Sequence, residues 1–322
     1  MEYRLLPHTE LNVSRLAFGT MTLGKPLDQQ GSTRMVSRCL DAGINFFDTA
    51  NMYQLGVAES LLGEALRGRR DKVILATKAG CRMGDGPDQA GLSRAALLRA
   101  IDESLRRLQT DYVDLYYLHW PDPGVPLEET LEAMQLLVEQ GKVRYPATSN
   151  FAGWQVVQML GIARERGYRP AFVSQPMYNL LTRGIEQEYI AMAKEFGVSI
   201  VVYNPLAAGL LTGKHRRDAI TPGTRFEYYK IHFDRYWHQE NFRAVERLRE
   251  VSKRCGRSLI SIALNWLLHH TPTDSVILGA SSMEQLDENL AAAAEGPLPP
   301  ETLRACDDIW RELRGPTPAY NR

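Results

Sequence analysis

Along this chain, short apolar runs alternate with longer stretches in which apolar residues return every three or four positions. The runs fall at residues 16–19, 45–48, 73–77, 113–118, 143–148, 172–175, 200–203 and 275–278. They have the length of strands, and continuous apolar runs of that length fit strands covered on both faces. The stretches between them read as amphipathic helices. Behind Ser93, a good helix N-cap, Leu97, Ile101, Leu105 and Leu108 recur at i, i+4, i+8 and i+11, and similar stripes run through residues 127–138 and 259–268.

Repeated strand-helix units predict parallel strands joined by helical crossovers. Eight such strands match an α/β fold of the (β/α)8 TIM barrel type in number. The rival, a doubly wound sheet, normally carries Gly-x-Gly-x-x-Gly after its first strand. Here that turn reads Ala17-Phe18-Gly19-Thr20-Met21-Thr22-Leu23-Gly24 and lacks the fingerprint. Residues 204–238 are too long for an ordinary connection, so a functional loop after strand seven is expected there, a candidate lid. Residues 283–294 read as the last barrel helix and residues 299–313 as an appended C-terminal helix. No linker or repeat divides residues 1–322, and one barrel domain is expected.

Composition removes whole classes of partner. The 38 basic and 38 acidic side chains cancel, which leaves no global field to attract nucleic acid or an anionic membrane. Cys39, Cys81, Cys255 and Cys306 are scattered without a Cys-x-x-Cys pair, against both a zinc site and a disulfide framework. Glu2, Arg4 and Glu10 interrupt the N-terminal residues, and no apolar run elsewhere reaches the roughly 18 residues of a membrane span. A reducing, cytoplasmic setting is expected; assembly into a homo-oligomer is left open.

Asp48, Lys78 and His119 stand at or just beyond the C-terminal ends of predicted strands, with Tyr53 a few residues into the second loop. Barrel enzymes place their sites at that end. Taken singly, each has a plain structural reading: a helix cap, a solvated cation, a packed and hydrogen-bonded ring. Taken together they make an acid. A phenol titrates near 10, and an adjacent ammonium such as Lys78 stabilises the phenolate and lowers that value. Asp48 would keep a partly dry Lys78 protonated. His119, from the next strand but one, would hydrogen-bond a carbonyl oxygen and stabilise the developing alkoxide.

The run Gly43-Ile44-Asn45-Phe46-Phe47-Asp48-Thr49-Ala50-Asn51-Met52-Tyr53, followed by Glu59 and Gly63, carries a specific resemblance. With Ala76-Thr77-Lys78, residues 111–120 ending in Leu118-His119-Trp120, and Ser149-Asn150-Phe151, it resembles the aldo-keto reductase superfamily across nearly the whole chain. The resemblance implies NADPH-dependent reduction of an aldehyde or ketone carbonyl. Asp48, Tyr53, Lys78 and His119 would be the catalytic tetrad, with Tyr53 the acid.

The same resemblance implies a cofactor site. Gly19, Thr20, Met21 and Asp48 would lie along it, Ser149, Asn150 and Gln175 would grip the nicotinamide amide, and Tyr203 would stack on its ring. The run Tyr203-Asn204-Pro205-Leu206-Ala207-Ala208-Gly209-Leu210-Leu211-Thr212-Gly213-Lys214 is similar to the clasping loop of the aflatoxin-aldehyde reductases and of potassium-channel β subunits. Lys214 and Arg225 would supply cations for the phosphates. The turn and helix start after strand eight, with Leu278, Gly279, Ser281, Gln285, Glu288 and Asn289, would hold the adenosine end, helped by backbone donors of the helix. Where many members place a cation there, this chain has Gln285, so NADPH preference would lean on Lys214, Arg225 and hydroxyls.

Residues 235–237 and 318–322 look like the aflatoxin-aldehyde and succinic-semialdehyde reductase branch. That likeness places Trp120, Arg235 and Arg322 with Tyr53 and His119 as substrate contacts, the arginines favouring an acidic group. Two departures stand out: Tyr53-Gln54 where the family usually has Tyr-Gly, and Pro146-Ala147 in strand five, where glycine is common at position 147. Pro146 removes a ladder donor, so a bulge or an outward carbonyl is expected beside Ser149. Two other functions remain: an NADPH-binding regulatory subunit like the channel β subunits, disfavoured by a chain that starts almost at its first strand, and a barrel isomerase or aldolase using Lys78 as Schiff-base nucleophile.

Overall fold

The computed structural model describes residues 1–316; the expected contact Arg322 and the tail resemblance at residues 318–322 lie outside them. Two short strands come first, β1 (Tyr3–Leu5) and β2 (Asn12–Ser14). Eight more, β3 (Leu16–Gly19), β4 (Phe46–Asp48), β5 (Ile74–Ala79), β6 (Val113–Leu118), β7 (Val143–Ser149), β8 (Val173–Gln175), β9 (Ser199–Val202) and β10 (Ser275–Leu278), form a closed parallel barrel. Closure pairs Val276 with Leu16 and Ile277 with Ala17. The expected (β/α)8 architecture is therefore present.

The apolar runs are continuous because adjacent residues serve different cores. Ala17, Phe46, Tyr117 and Val201 point into the barrel, while their neighbours Phe18, Phe47, Tyr116 and Val202 pack against the surrounding helices. The helix expected behind Ser93 spans Arg94–Leu108, and the Ser93 side chain accepts from the Ala96 N–H. The last barrel helix is Met283–Ala293, and the appended one is Pro300–Arg314. Among the described residues, no helix is long and apolar enough to cross a membrane.

Three features differ from expectation. The first is that β1 and β2 pair as an antiparallel hairpin ahead of the barrel; Leu6, Leu11 and Val13 of this hairpin join the inner core and close its N-terminal end. The second is that the long segment 204–238 has elements of its own: a 3-10 turn at Ala207–Thr212 and helices Arg225–Tyr228 and Lys230–Tyr236. Phe226 and Phe242 pack edge-on to Trp237, with ring centroids 4.9 and 5.0 Å away, which fixes the segment to the body.

The third is that, of the bulge or outward carbonyl expected beside Ser149 from Pro146, the bulge is absent. The β6–β7 register runs unbroken from Val113 opposite Val143 to Leu118 opposite Thr148, with Pro146 opposite Tyr116. On the other side, pairing with the short β8 begins only at Ala147 opposite Val173. Pro146 thus lies one residue before that ladder, where a missing donor interrupts nothing.

Candidate active site

Alternation along β5 sorts its last residues into two jobs. Thr77 points outward, and its hydroxyl donates to Glu59 at 2.5 Å; Glu59 is fully buried and held by Arg107 Nε at 2.7 Å. Gly63, one turn on, allows helix Val57–Ala65 to press against the Leu108 backbone, since a Cβ there would stand 2.6 Å from it. These residues of the resemblance are structural. They brace the segment from which Tyr53 projects.

Lys78 points inward and is fully buried. Its ammonium donates to Asp48 Oδ1 and, at 2.8 Å, to the Thr49 carbonyl. The Gln175 amide donates to the other carboxylate oxygen at 2.8 Å. Lys78 Nζ also lies 5.3 Å from the centre of the Tyr53 ring. Burial opposes the charge on Lys78, but Asp48 and Tyr53 together outweigh it, so the ammonium is retained above its ordinary range.

Tyr53 departs from the sequence expectation. Burial pushes the phenol above its usual value, and the neighbouring Lys78 only partly offsets this. The net direction is upward because desolvation of a phenolate costs more here than one ammonium, already paired with Asp48, returns. Tyr53 therefore holds its proton firmly in this state.

The edge of the His119 ring faces Tyr53, with centroids 6.3 Å apart. Its Nδ1 lies 3.5 Å from Cys81 Sγ. Burial, assisted by the charge on Lys78, pulls the imidazole down to about 3, so it is neutral at physiological pH. A neutral imidazole offers one donor and one acceptor. Trp120 stacks beside it at 6.2 Å, and the guanidinium of Arg235 sits 5.9 Å from the Trp120 ring centre. Asp48 and Lys78 from two strands, and Tyr53 and His119 from the segments that follow β4 and β6, thus lie at one end of the barrel with Trp120 and Arg235.

Several of the expected cofactor residues adjoin the ion pair or one another. Thr20 N–H donates to the Asp48 carbonyl at 2.9 Å, and the Thr20 hydroxyl is buried without a hydrogen-bond partner. Gly19 and Met21 flank it in sequence. Ser149 donates to the Gln175 carbonyl at 3.0 Å, the Asn150 amide donates to the His119 carbonyl at 2.9 Å, and Tyr203 donates to Asn150 Oδ1 at 2.7 Å. Asn204 folds the following turn, its side chain accepting from the Ala208 N–H at 3.0 Å, with Pro205, Leu206, Gly209 and Leu210 in the same turn.

Arg225 reaches across to the turn after β10: a Cβ on Gly279 would stand 2.5 Å from Arg225 Nη2. Burial lowers its pKa, and Tyr53 and Tyr229 oppose this. Among the described residues, no carboxylate forms an ion pair with its guanidinium. In the β10 turn, Gln285 Oε1 accepts from both the N–H and hydroxyl of Ser281, at 2.9 and 2.8 Å. Leu278 and Asn289 are buried there, while Glu288 and Lys214 are exposed.

Sequence reasoning passed over Cys81 and His232. Cys81 carries no motif, although its place three residues beyond Lys78 puts it at the same barrel end. His232 is buried in the loop helix with neither ring nitrogen hydrogen-bonded, and burial with the charges of Arg225 and Arg235 lowers it to about 3. Its signal was available: four basic side chains, Arg225, Lys230, His232 and Arg235, within eleven residues of one loop.

A parallel barrel with a buried lysine-carboxylate pair, a tyrosine and a neutral histidine at its C-terminal mouth fits barrel oxidoreductases. Residues 15–311 match the aldo/keto reductase family model, and the chain belongs to that family. Rat aflatoxin B1 aldehyde reductase member 2 is 38% identical, over 94% of this chain and 86% of its own length. An uncharacterized oxidoreductase of Bacillus subtilis is 37% identical, over 99% of this chain and 98% of its own. A probable voltage-gated potassium channel subunit beta of rice is 34% identical, over 99% of this chain and its whole length.

Proposed function

We propose that the protein is an NADPH-dependent reductase of aldehyde or ketone carbonyls, with Asp48, Tyr53, Lys78 and His119 as its catalytic group. The observation that carries this reading is the fully buried Lys78, bonded to Asp48 and set beneath the Tyr53 ring, with a neutral His119 opposite. When bound, the nicotinamide supplies a hydride from C4. His119 donates a hydrogen bond to the carbonyl oxygen and orients it. Tyr53 then passes its phenolic proton to that oxygen as negative charge develops there. Lys78 stabilises the phenolate left behind, and Asp48 keeps Lys78 charged.

Three observations support the cofactor reading. The orphaned Thr20 hydroxyl suits a ligand oxygen, Arg225, without an ion pair among the described residues, suits a phosphate, and Tyr203 offers a ring beside the Asn150 amide and the Ser149 hydroxyl. Lys214, exposed at the end of the clasping turn, would close on the phosphates. Arg235 over Trp120 favours a carbonyl compound with an acidic group. A second reading, a regulatory NADPH-binding subunit, is favoured by the like-length channel-subunit relative.

One assay separates these readings: NADPH oxidation with succinic semialdehyde, a neutral aldehyde of similar size and a ketone, run beside Tyr53→Phe and Arg235→Ala. Tyr53→Phe is expected to lose activity by at least about 100-fold while still binding NADPH. Retained turnover in that variant would refute the acid role, and an unchanged ratio of KM values in Arg235→Ala would refute the acidic preference. Absence of turnover in the parent protein, with NADPH bound, would favour the regulatory reading.

A further inference from the structure

Gln54 follows the proposed acid directly. Both it and Leu55 adopt left-handed backbone, with φ of 49° and 53°. Two consecutive non-glycine residues in that region are uncommon and persist where surrounding contacts hold them. The Gln54 side chain supplies those contacts. Its amide nitrogen donates to the Tyr229 hydroxyl at 2.8 Å and approaches the Met21 carbonyl at 3.4 Å. Its methylene passes over Gly24, where a Cβ would lie 3.5 Å from Gln54 Cγ.

Tyr229 stands at the junction between helices Arg225–Tyr228 and Lys230–Tyr236. Beside it, Tyr228 receives the ammonium of Lys25 on its ring face at 4.3 Å. The loop after β3, the turn bearing Tyr53 and the long segment after β9 are therefore joined at one point on the mouth of the barrel. The same segment carries Arg225, which lies against Gly279 in the turn after β10. Opening that segment to admit a long ligand requires the Gln54–Tyr229 bond to break.

We propose that Gln54 is a positioning residue that latches the 225–236 segment onto the turn carrying Tyr53, so that closure over the cofactor and placement of the acid occur together. The coupling to cofactor rests on the reading given under Proposed function; the latch itself does not. Gln54→Gly removes the amide and suits left-handed backbone, and Tyr229→Phe removes only the hydroxyl, so both retain a foldable sequence.

Two measurements test this, on each variant and on the pair together. Amide hydrogen exchange of cofactor-free protein should show residues 225–236 exchanging about three- to tenfold faster in each single variant, the scale of one neutral hydrogen bond. NADPH release, followed by stopped-flow fluorescence, should accelerate by a similar factor. In both measurements the double variant should be no faster than the quicker single one, because both substitutions cut the same bond. Unchanged exchange in either single variant, or effects that multiply, would overturn the latch. Faster exchange in a protein that does not bind NADPH would leave the latch standing and overturn the cofactor reading instead.

Discussion

Lys78 and Asp48 are a buried ion pair whose remaining bonding capacity is also used, on one side by the Thr49 carbonyl and on the other by the Gln175 amide. Removing one partner of such a pair leaves an uncompensated charge in the interior, which costs about 3–5 kcal/mol. Lys78→Met should therefore destabilise the fold by about that much, and Asp48→Asn should do so comparably. The double substitution should cost less than the sum, since no charge is stranded. Urea denaturation of the three variants measures this without reference to activity, and strict additivity would show that the two charges do not act as a pair.

The directions in which burial moves Tyr53 and His119 set a pH profile. His119, lowered to about 3, does not change charge near neutrality, and Tyr53 is raised above its ordinary value. The rate of reduction should then show no inflection from about pH 5 to about pH 9 and fall only in alkali, as Tyr53 loses its proton. A fall centred near 6.5 would mean that His119 titrates as an exposed imidazole. Stability behaves differently. His119, His215 and His232 stay neutral in the fold, at about 3, 4 and 3, while in the unfolded chain they take up protons below about 6.5. The unfolded state binds more protons in that window, so stability is lost as pH falls from about 6.5 towards 4.

Much of this was legible in the chain. The barrel strands announce themselves because both of their faces are buried, which makes runs such as 200–203 continuous and easy to bound. The mouth residues are legible because they follow those runs: Asp48, Lys78 and His119 each sit at a strand end, and the structure brings them together with Tyr53. The hairpin was not legible. Tyr3, Arg4 and Leu5 are all exposed, so β1 has no apolar period, and its contribution comes instead from Leu6, Leu11 and Val13 at the turn and in β2. Nor does sequence alone balance opposing effects: a lysine next to a tyrosine reads as lowering its pKa, whereas the depth of burial reverses the sign. Pro146 misled for a similar reason, since the shortness of β8 is a property of the neighbouring strand.

Arg225 gives a prediction in which stability and binding move in opposite directions. Its guanidinium is desolvated without an ion pair among the described residues, beside Gly279. A cation held in that way weakens the ligand-free fold and strengthens binding of an anion. Arg225→Met should leave the cofactor-free protein as stable or more stable in thermal melts. The same variant should bind NADPH at least about tenfold more weakly, the scale of a charge-assisted hydrogen bond. A loss of stability with unchanged NADPH affinity would assign Arg225 to packing alone.

The hairpin supplies the last test, at the opposite end of the barrel from the proposed chemistry. Leu6 is fully buried and packs with Leu11, Val13 and the inner strand residues. The turn between the strands is tied by the Leu6 N–H to the Leu11 carbonyl at 2.9 Å, and Tyr145 accepts from the Glu10 N–H at 3.1 Å. If the hairpin seals the barrel floor, Leu6→Ala opens a cavity that rigid strands on every side cannot fill, at a cost of about 2–5 kcal/mol. The mouth should be insulated from that loss, because Leu6 packs in the inner core ahead of the barrel strands, whereas Asp48 and Lys78 lie towards the C-terminal ends of theirs. A urea midpoint lowered in proportion, with NADPH affinity unchanged at low denaturant, is the expected pair of results. An unaltered midpoint would show that the hairpin merely rests on the barrel, and a weakened cofactor affinity would show that the floor and the mouth are coupled.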